Sequence, residues 1–268
     1  MKTFKFWTLE KQTILIEGRR EEITCYGGSN VSVEDARRAA REKAEKVQRK
    51  IAGEKQLFED YDVEIREEVL KVVDDHAVIT RNRYGAQVLN VEKLMILDID
   101  EPKVAGGLGG LFGKKKDKRS PKAEIFDMVR KLAATKYGQY GFRIYETFRG
   151  ARVIVLGRDF DPRDDATRKM MSEFNCDPLY ALLCGKQDCY RARLTPKPSR
   201  ARVRGIKVKF PREGTDNQLE QWLAEYENAS RNFSVCKFVE QIGASQPVPD
   251  VVRLHDELTG VGYQQRLA

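Results

Sequence analysis

The run Leu94-Met95-Ile96-Leu97-Asp98-Ile99-Asp100 constrains this chain more than any other segment. An apolar stretch with no polar break before its first aspartate reads as a strand buried on both faces. Alternate side chains of a strand point the same way, so Asp98 and Asp100 present two carboxylates to one spot. Like charges that close repel unless a cation or a proton lies between them. Magnesium or manganese, hard divalent ions, suit an all-oxygen site of this kind. Asp98 and Asp100 are therefore candidate metal ligands and candidate catalytic residues for phosphoryl or nucleotidyl transfer. The same pair would also arise if one aspartate capped a turn and the other paired with an arginine.

Charge distribution supplies the second constraint. The 268-residue chain carries a formal net charge of +8. Nine of its basic residues fall between Tyr190 and Arg212, and that span holds no acid. They are Arg191, Arg193, Lys197, Arg200, Arg202, Arg204, Lys207, Lys209 and Arg212. A solvated face normally mixes signs, so an acid-free span points to a polyanion, with nucleic acid or nucleotide phosphate the natural partner. A contact with a partner protein in a larger assembly is the alternative use of such a surface. With 41% hydrophobic and 34% charged residues, the chain has enough apolar side chains for a core and reads as a globular protein. No apolar stretch has the length of a membrane span, so no membrane partner is expected. Met1 to Trp7 lacks a signal-peptide pattern. Five scattered cysteines fit a reducing cytoplasm better than a disulfide scaffold.

Patterning along the chain predicts an α/β or α+β fold with a mixed central sheet and flanking helices. A small ββα module, residues 1–58, precedes it. Within the module, Phe4–Trp7, Gln12–Ile16 and Glu22–Tyr26 read as strand pieces, with a turn at Gly18-Arg19-Arg20. Ser32 is placed to cap a helix over Val33–Ile51, with Asp35 completing a variant capping box and sparse apolar positions giving a narrow buried stripe. The α/β core, 59–212, contains the aspartate strand. A helix then opens at Pro121 with Ser120 as its cap. A hairpin follows, Phe142–Thr147 and Ala151–Leu156. That series is a βαβ unit or its split form, with the aspartates at the carboxyl end of their strand, where open α/β sheets place ligands. Helices are expected near 164–174 and from Pro178. Arg191 and Arg193 alternate onto one face of an extended basic segment. The C-terminal extension, 213–268, has a helix over Gln218–Glu227 with Leu219, Trp222, Leu223 and Tyr226 as core.

Between Gly106 and Lys116 runs a glycine-rich, lysine-rich loop. It is not a Walker motif, because Leu108 stands where the first glycine belongs and Lys115 follows Lys114. It reads as a flexible basic loop beside the carboxylates. Cys176, Cys184, Cys189 and Cys236 lack the short paired spacing of zinc knuckles, so zinc is not expected, and a nucleophilic cysteine would need a base that a chain with only His76 and His255 hardly supplies. Aromatics in Arg81–Tyr84 and Phe142–Tyr145 read as core or as stacking platforms for a single strand.

The order of Asp-x-Asp strand, helix, hairpin and basic segment resembles the catalytic core of the archaeo-eukaryotic primase-polymerase superfamily, over roughly residues 80–210. That family carries Asp-x-Asp or Asp-x-Glu on a core strand, a hairpin usually bearing a small residue, any residue and histidine, a later third acid, and a basic segment that contacts nucleotide phosphates. Leu97-Asp98-Ile99-Asp100 matches the first motif. Tyr145–Val153 occupies the hairpin position without its histidine, leaving Arg149 or Arg152 to bind phosphate there. Asp159, Asp161, Asp177 and Asp188 are possible third acids; Asp161 lies near the hairpin and Asp188 nearest the basic segment. The resemblance implies metal-dependent nucleotidyl transfer, with Arg191, Arg193, Lys197 and Arg200 clamping phosphate. Two other functions fit the same residues: a non-catalytic nucleic-acid-binding or assembly protein with a degenerate core, and a metal-dependent nuclease or phosphoesterase.

Overall fold

A computed structural model describes residues 1–16, 18–51, 63–102, 120–212, 214 and 216–268. The glycine-rich loop and the boundary expected near residue 58 lie outside the described residues.

The chain opens with a long antiparallel hairpin, β1 (Phe6–Ile16) and β2 (Arg19–Ser29). The two apolar pieces expected before residue 17 belong to one continuous strand. Helix α1 (Val33–Ile51) packs on the hairpin through Ala36, Ala40 and Ala44. The Ser32 hydroxyl accepts from the Asp35 backbone N–H at 3.0 Å and donates to its carboxylate at 3.1 Å, closing the expected cap. Alanine spacing of four gives a stripe narrow enough for close approach. A Cβ at Gly27 would stand 1.9 Å from the Ala36 carbonyl oxygen, so only glycine lets the helix sit this near the strand.

The body is a mixed α/β arrangement whose strands divide into two four-stranded layers. The first has the order β3 (Glu68–Asp74), β4 (Ala77–Arg81), β5 (Gln87–Val91), β9 (Tyr190–Arg193). The second runs β10 (Cys236–Gly243), β7 (Gly141–Thr147), β8 (Gly150–Leu156), β6 (Ile96–Asp100). Neighbours in both layers are antiparallel. β6 and β7 therefore run parallel with β8 between them, joined through α2 (Pro121–Thr135), which is the split βαβ unit. Ser120 caps α2 by accepting from the Ala123 N–H at 3.2 Å.

Register decides what each face carries. Asp98 stands opposite Arg152, Arg152 opposite Tyr145, and Tyr145 opposite Phe238, a row on one face of the second layer. The other face holds Ile99, Ala151 and Glu146. It is covered by α2 through buried Ile125, Val129 and Ala133, with Lys122 bonded to Glu146 at 2.8 Å. The core fills the body with Leu97, Ile99, Phe142, Ile144, Val153 and Val155, all 2% exposed or less. Three further helices surround it: α3 (Asp165–Glu173), α4 (Pro178–Gln187) and α5 (Asn217–Ser230). Helix α6 (Asp250–Leu258) lies on the face that carries Arg152 and Tyr145. Leu219 and Tyr226 of α5 are buried as expected, and Trp222 stacks on Tyr226. Among the described residues no helix is long and apolar enough to cross a membrane.

Candidate active site

Asp98 and Asp100 end β6, Asp98 half-buried and Asp100 exposed. β6 is an edge strand, and the start of α4 closes on it. The Asp177 backbone N–H donates to the Asp98 carbonyl oxygen at 2.8 Å, and the Tyr180 hydroxyl donates to the Ile96 carbonyl at 2.9 Å. Asp177 itself caps α4, accepting from the Tyr180 N–H at 2.7 Å. On the other side of β6, the β7–β8 turn fits without a side chain at Gly150, whose φ is 142°. A Cβ there would fall 2.0 Å from the Ile99 carbonyl oxygen.

The acids repel one another. Burial and the charges of Asp98 and Asp177 hold the Asp100 carboxyl above its ordinary range, while Lys197 and Arg200 pull it the other way. Cations crowd the same place from β9 and the segment after it. Burial, then the adjacent Arg152 guanidinium, lowers the proton affinity of Arg193, with Asp98 opposing. Burial, then Arg193 and Arg200, does the same to Lys197, and burial, then Arg149, to Arg200. Among the described residues none of Arg149, Arg193, Lys197 and Arg200 forms an ion pair with an acid. The Arg200 guanidinium lies 4.3 Å from the centre of the Phe148 ring at the hairpin tip. A cluster that brings these cations near three carboxylates has room in its charge balance for an anion.

The structure uses the remaining predicted residues differently. Asp161 is exposed and holds a turn by accepting from the Arg163 N–H at 2.8 Å. Asp188 sits in left-handed conformation at the end of α4 and is ion-paired with the Met1 amine at 3.2 Å and Arg163 at 2.9 Å. Asp161 holds a local turn and Asp188 a long-range ion pair, and the acid whose charge reaches Asp100 is Asp177. Arg191 is bound to Glu67 at 2.6 Å, so it is a neutralised structural cation and not a free phosphate clamp. Arg152 is only 4% exposed. Its Nη1 donates to the Arg193 carbonyl oxygen at 3.1 Å and to Nε2 of His255 at 3.0 Å, with Sγ of Cys236 at 3.4 Å. It is committed to the interior and cannot reach out to phosphate as the hairpin position suggested. Arg149 remains exposed at the turn.

Of the four possible third acids, Asp177 is the one whose charge reaches Asp100; its place beside Asp98 comes from the packing of α4 on β6, which local sequence does not signal. A histidine does stand beside the hairpin, but it arrives from α6, 103 residues beyond Arg152. All five cysteines are free and buried. Burial pushes the Cys184 and Cys189 thiols up to about 12 and that of Cys176 higher still, so they stay protonated at neutral pH.

Whether the acids suit a divalent ion follows from their grouping. Among the described residues no set of three or more histidine, cysteine, aspartate or glutamate side chains is close enough to hold a metal. Magnesium is commonly held by one or two carboxylates together with substrate phosphates. Asp98 and Asp100 fit an ion that arrives with a polyphosphate, and not a closed protein cage. In comparisons with known proteins, no family model, no curated protein and no solved structure matches this chain.

Proposed function

We propose that this protein is a metal-dependent nucleotidyltransferase acting on nucleic acid, with a site of primase-polymerase type. The observation that carries the reading is the pairing of repelling carboxylates, Asp98 and Asp100, with Arg193, Lys197 and Arg200, cations that lack ion-pair partners among the described residues. A nucleoside triphosphate with its magnesium or manganese answers both imbalances at once. Arg193, Lys197 and Arg200 bind and orient the phosphates; the guanidinium fork suits that task. Asp98 and Asp100 hold the ion, which supplies neutralisation of phosphate charge and a more acidic attacking hydroxyl. Asp177 adds negative charge behind the pair and fixes the backbone of Asp98.

The strand path is proposed along the coil after Arg200. Arg202, Arg204, Lys207 and Lys209 are exposed, while Ala201, Val203 and Val208 between them are buried and pin the backbone. Trp222 Nε1–H donates to the Arg204 carbonyl at 2.8 Å, and the Val208 N–H to the Arg83 carbonyl at 2.8 Å. Such a ledge contacts backbone phosphates without reading sequence.

The test is template-dependent incorporation of nucleotides by the full chain with magnesium or manganese. Asp98→Asn and Asp100→Asn are each expected to reduce it about 10³-fold while leaving metal-free binding of tripolyphosphate intact. Incorporation that survives both changes sinks the proposal. The second reading is a binding protein without turnover, favoured by the absence of a three-ligand group among the described residues. It predicts salt-sensitive nucleic-acid binding that Asp98→Asn does not alter. Metal-dependent strand cleavage in the same assay would instead identify a nuclease.

A further inference from the structure

Behind the candidate site a line of buried and half-buried polar groups runs from α6 to β8 and β9. Arg152 lies at its centre. The residue is buried, yet among the described residues no carboxylate pairs with it. One acceptor of its Nη1 is the backbone carbonyl of Arg193, so the guanidinium ties β9, which carries the phosphate-facing cation, to β8, which is paired with the acid strand. The other principal acceptor is Nε2 of His255. A nitrogen that faces a guanidinium N–H must offer its lone pair, so the ring proton belongs on Nδ1. There it meets Oδ1 of Asp256 at 3.0 Å. The other Asp256 oxygen accepts from Nη2 of Arg143 at 2.6 Å, and Nε of Arg143 donates to the Tyr145 hydroxyl at 2.8 Å. The His255 ring is 0% exposed, packs edge-on against Tyr145 at 5.2 Å, and its carbonyl accepts from the Thr259 hydroxyl at 2.7 Å.

Each link leaves one orientation to the next. Arg143 fixes Asp256, Asp256 fixes the tautomer of His255, and the tautomer fixes Arg152. The opposite tautomer would set an N–H against the guanidinium, two donors facing each other in a dry site, and push Arg152 off the Arg193 carbonyl. Burial, more than any neighbouring charge, keeps His255 uncharged by pulling its pKa down to about 4. A neutral acceptor is what the adjacent guanidinium requires.

We propose that Asp256 and His255 form a positioning relay that holds Arg152 as a strut between the acid strand and the cation strand, so that Arg193 is kept in place relative to Asp98. The functional half of this proposal rests on the reading of the acid and cation cluster as a polyphosphate site; the relay itself does not. Neither residue touches substrate. The partner that orients a directly acting group is commonly worth 10–100-fold.

The experiment uses the full chain in two measurements. With only His76 and His255 in the sequence, ring ¹⁵N shifts, assigned with His76→Gln, report the tautomer directly. The Nδ1–H form is expected for His255, and the Nε2–H form overturns the relay whatever the protein binds. The second measurement is affinity for inorganic tripolyphosphate. His255→Gln, whose amide oxygen still accepts from Arg152, is expected to stay within about three-fold of the unaltered chain. His255→Leu and Asp256→Asn are expected to lose about ten-fold or more. Equal affinity in all three variants overturns the relay and leaves the polyphosphate-site reading standing. No binding by the unaltered chain overturns that reading and the relay's role in it, even where the tautomer is the expected one.

Discussion

Arg191 and Arg193 lie two residues apart on β9, and the molecule treats the two corners in opposite ways. Around Arg191 the charges are settled. Glu67 binds it at 2.6 Å, and nearby Glu68 takes both Arg212 at 2.8 Å and Arg81 at 3.3 Å. Around Arg193 no such ion pair forms among the described residues: Arg152 and Arg200 both act on Arg193, Arg193 and Arg200 on Lys197, and the acids that oppose them belong to a pair that itself repels. One stretch of basic sequence thus divides into cations that brace the fold and cations that have no ion-pair partner among the described residues. A count of positive charge cannot tell the two apart; the presence of a carboxylate partner can.

The widest gap between the corners should appear in anion affinity. Removing Arg193 and Arg200 together deletes two sets of charge-assisted hydrogen bonds, each worth about 1.5–3 kcal/mol. Isothermal titration with tripolyphosphate should then show affinity falling by about 10³-fold with little change in unfolding temperature. Arg191→Ala should do the reverse, costing about 2 kcal/mol of stability in denaturant titrations with affinity within about two-fold. Similar affinity losses for both variants would erase the distinction.

Acid sharpens the comparison next. His255 titrates near 6.5 when unfolded and at about 4 when folded. Between those values the unfolded chain binds a proton that the folded chain refuses, so stability is full above about pH 6.5 and falls as pH drops toward 4. The loss is about 3 kcal/mol, and denaturant melts of His255→Gln should not show it. The depressed Asp256 carboxyl acts in the same sense, at lower pH. A flat profile in the unaltered chain would remove the buried neutral histidine from beneath the Arg193 corner.

The smallest effect belongs to the ledge. Each of Arg202→Ala, Arg204→Ala, Lys207→Ala and Lys209→Ala should flatten the salt dependence of single-strand binding by about 0.7 in log–log slope. Arg212→Ala, on the settled side, should leave the slope unchanged.

Local elements were legible because local physics sets them. Capping at Ser32 and Ser120, the alanine stripe of α1, the aspartate strand and the split βαβ order all follow from spacing and turn chemistry. The ends of α3, α4 and α5 fall within a few residues of expectation. What stayed hidden depends on contacts distant in sequence. Nothing around Glu67 announces that it will neutralise Arg191, 124 residues later. Asp188 looks poised beside the basic segment, yet it is drawn to the Met1 amine. Arg152 follows a hairpin glycine as a phosphate ligand would, and contacts with Arg193, Cys236 and His255, all distant in sequence, hold it inward. The division of the strands into two layers was also out of reach, because β9 pairs with β5 across a hundred intervening residues.

The closure of α4 on β6 has a consequence of another kind. A strand at the rim of a sheet offers a row of open backbone groups, a template on which a second chain can add itself. Here the outward carbonyls of Ile96 and Asp98 are already taken, by the Tyr180 hydroxyl and the Asp177 N–H. The backbone groups of this edge are thereby denied as a seed for edge-to-edge aggregation, on the same strand that ends in the two carboxylates.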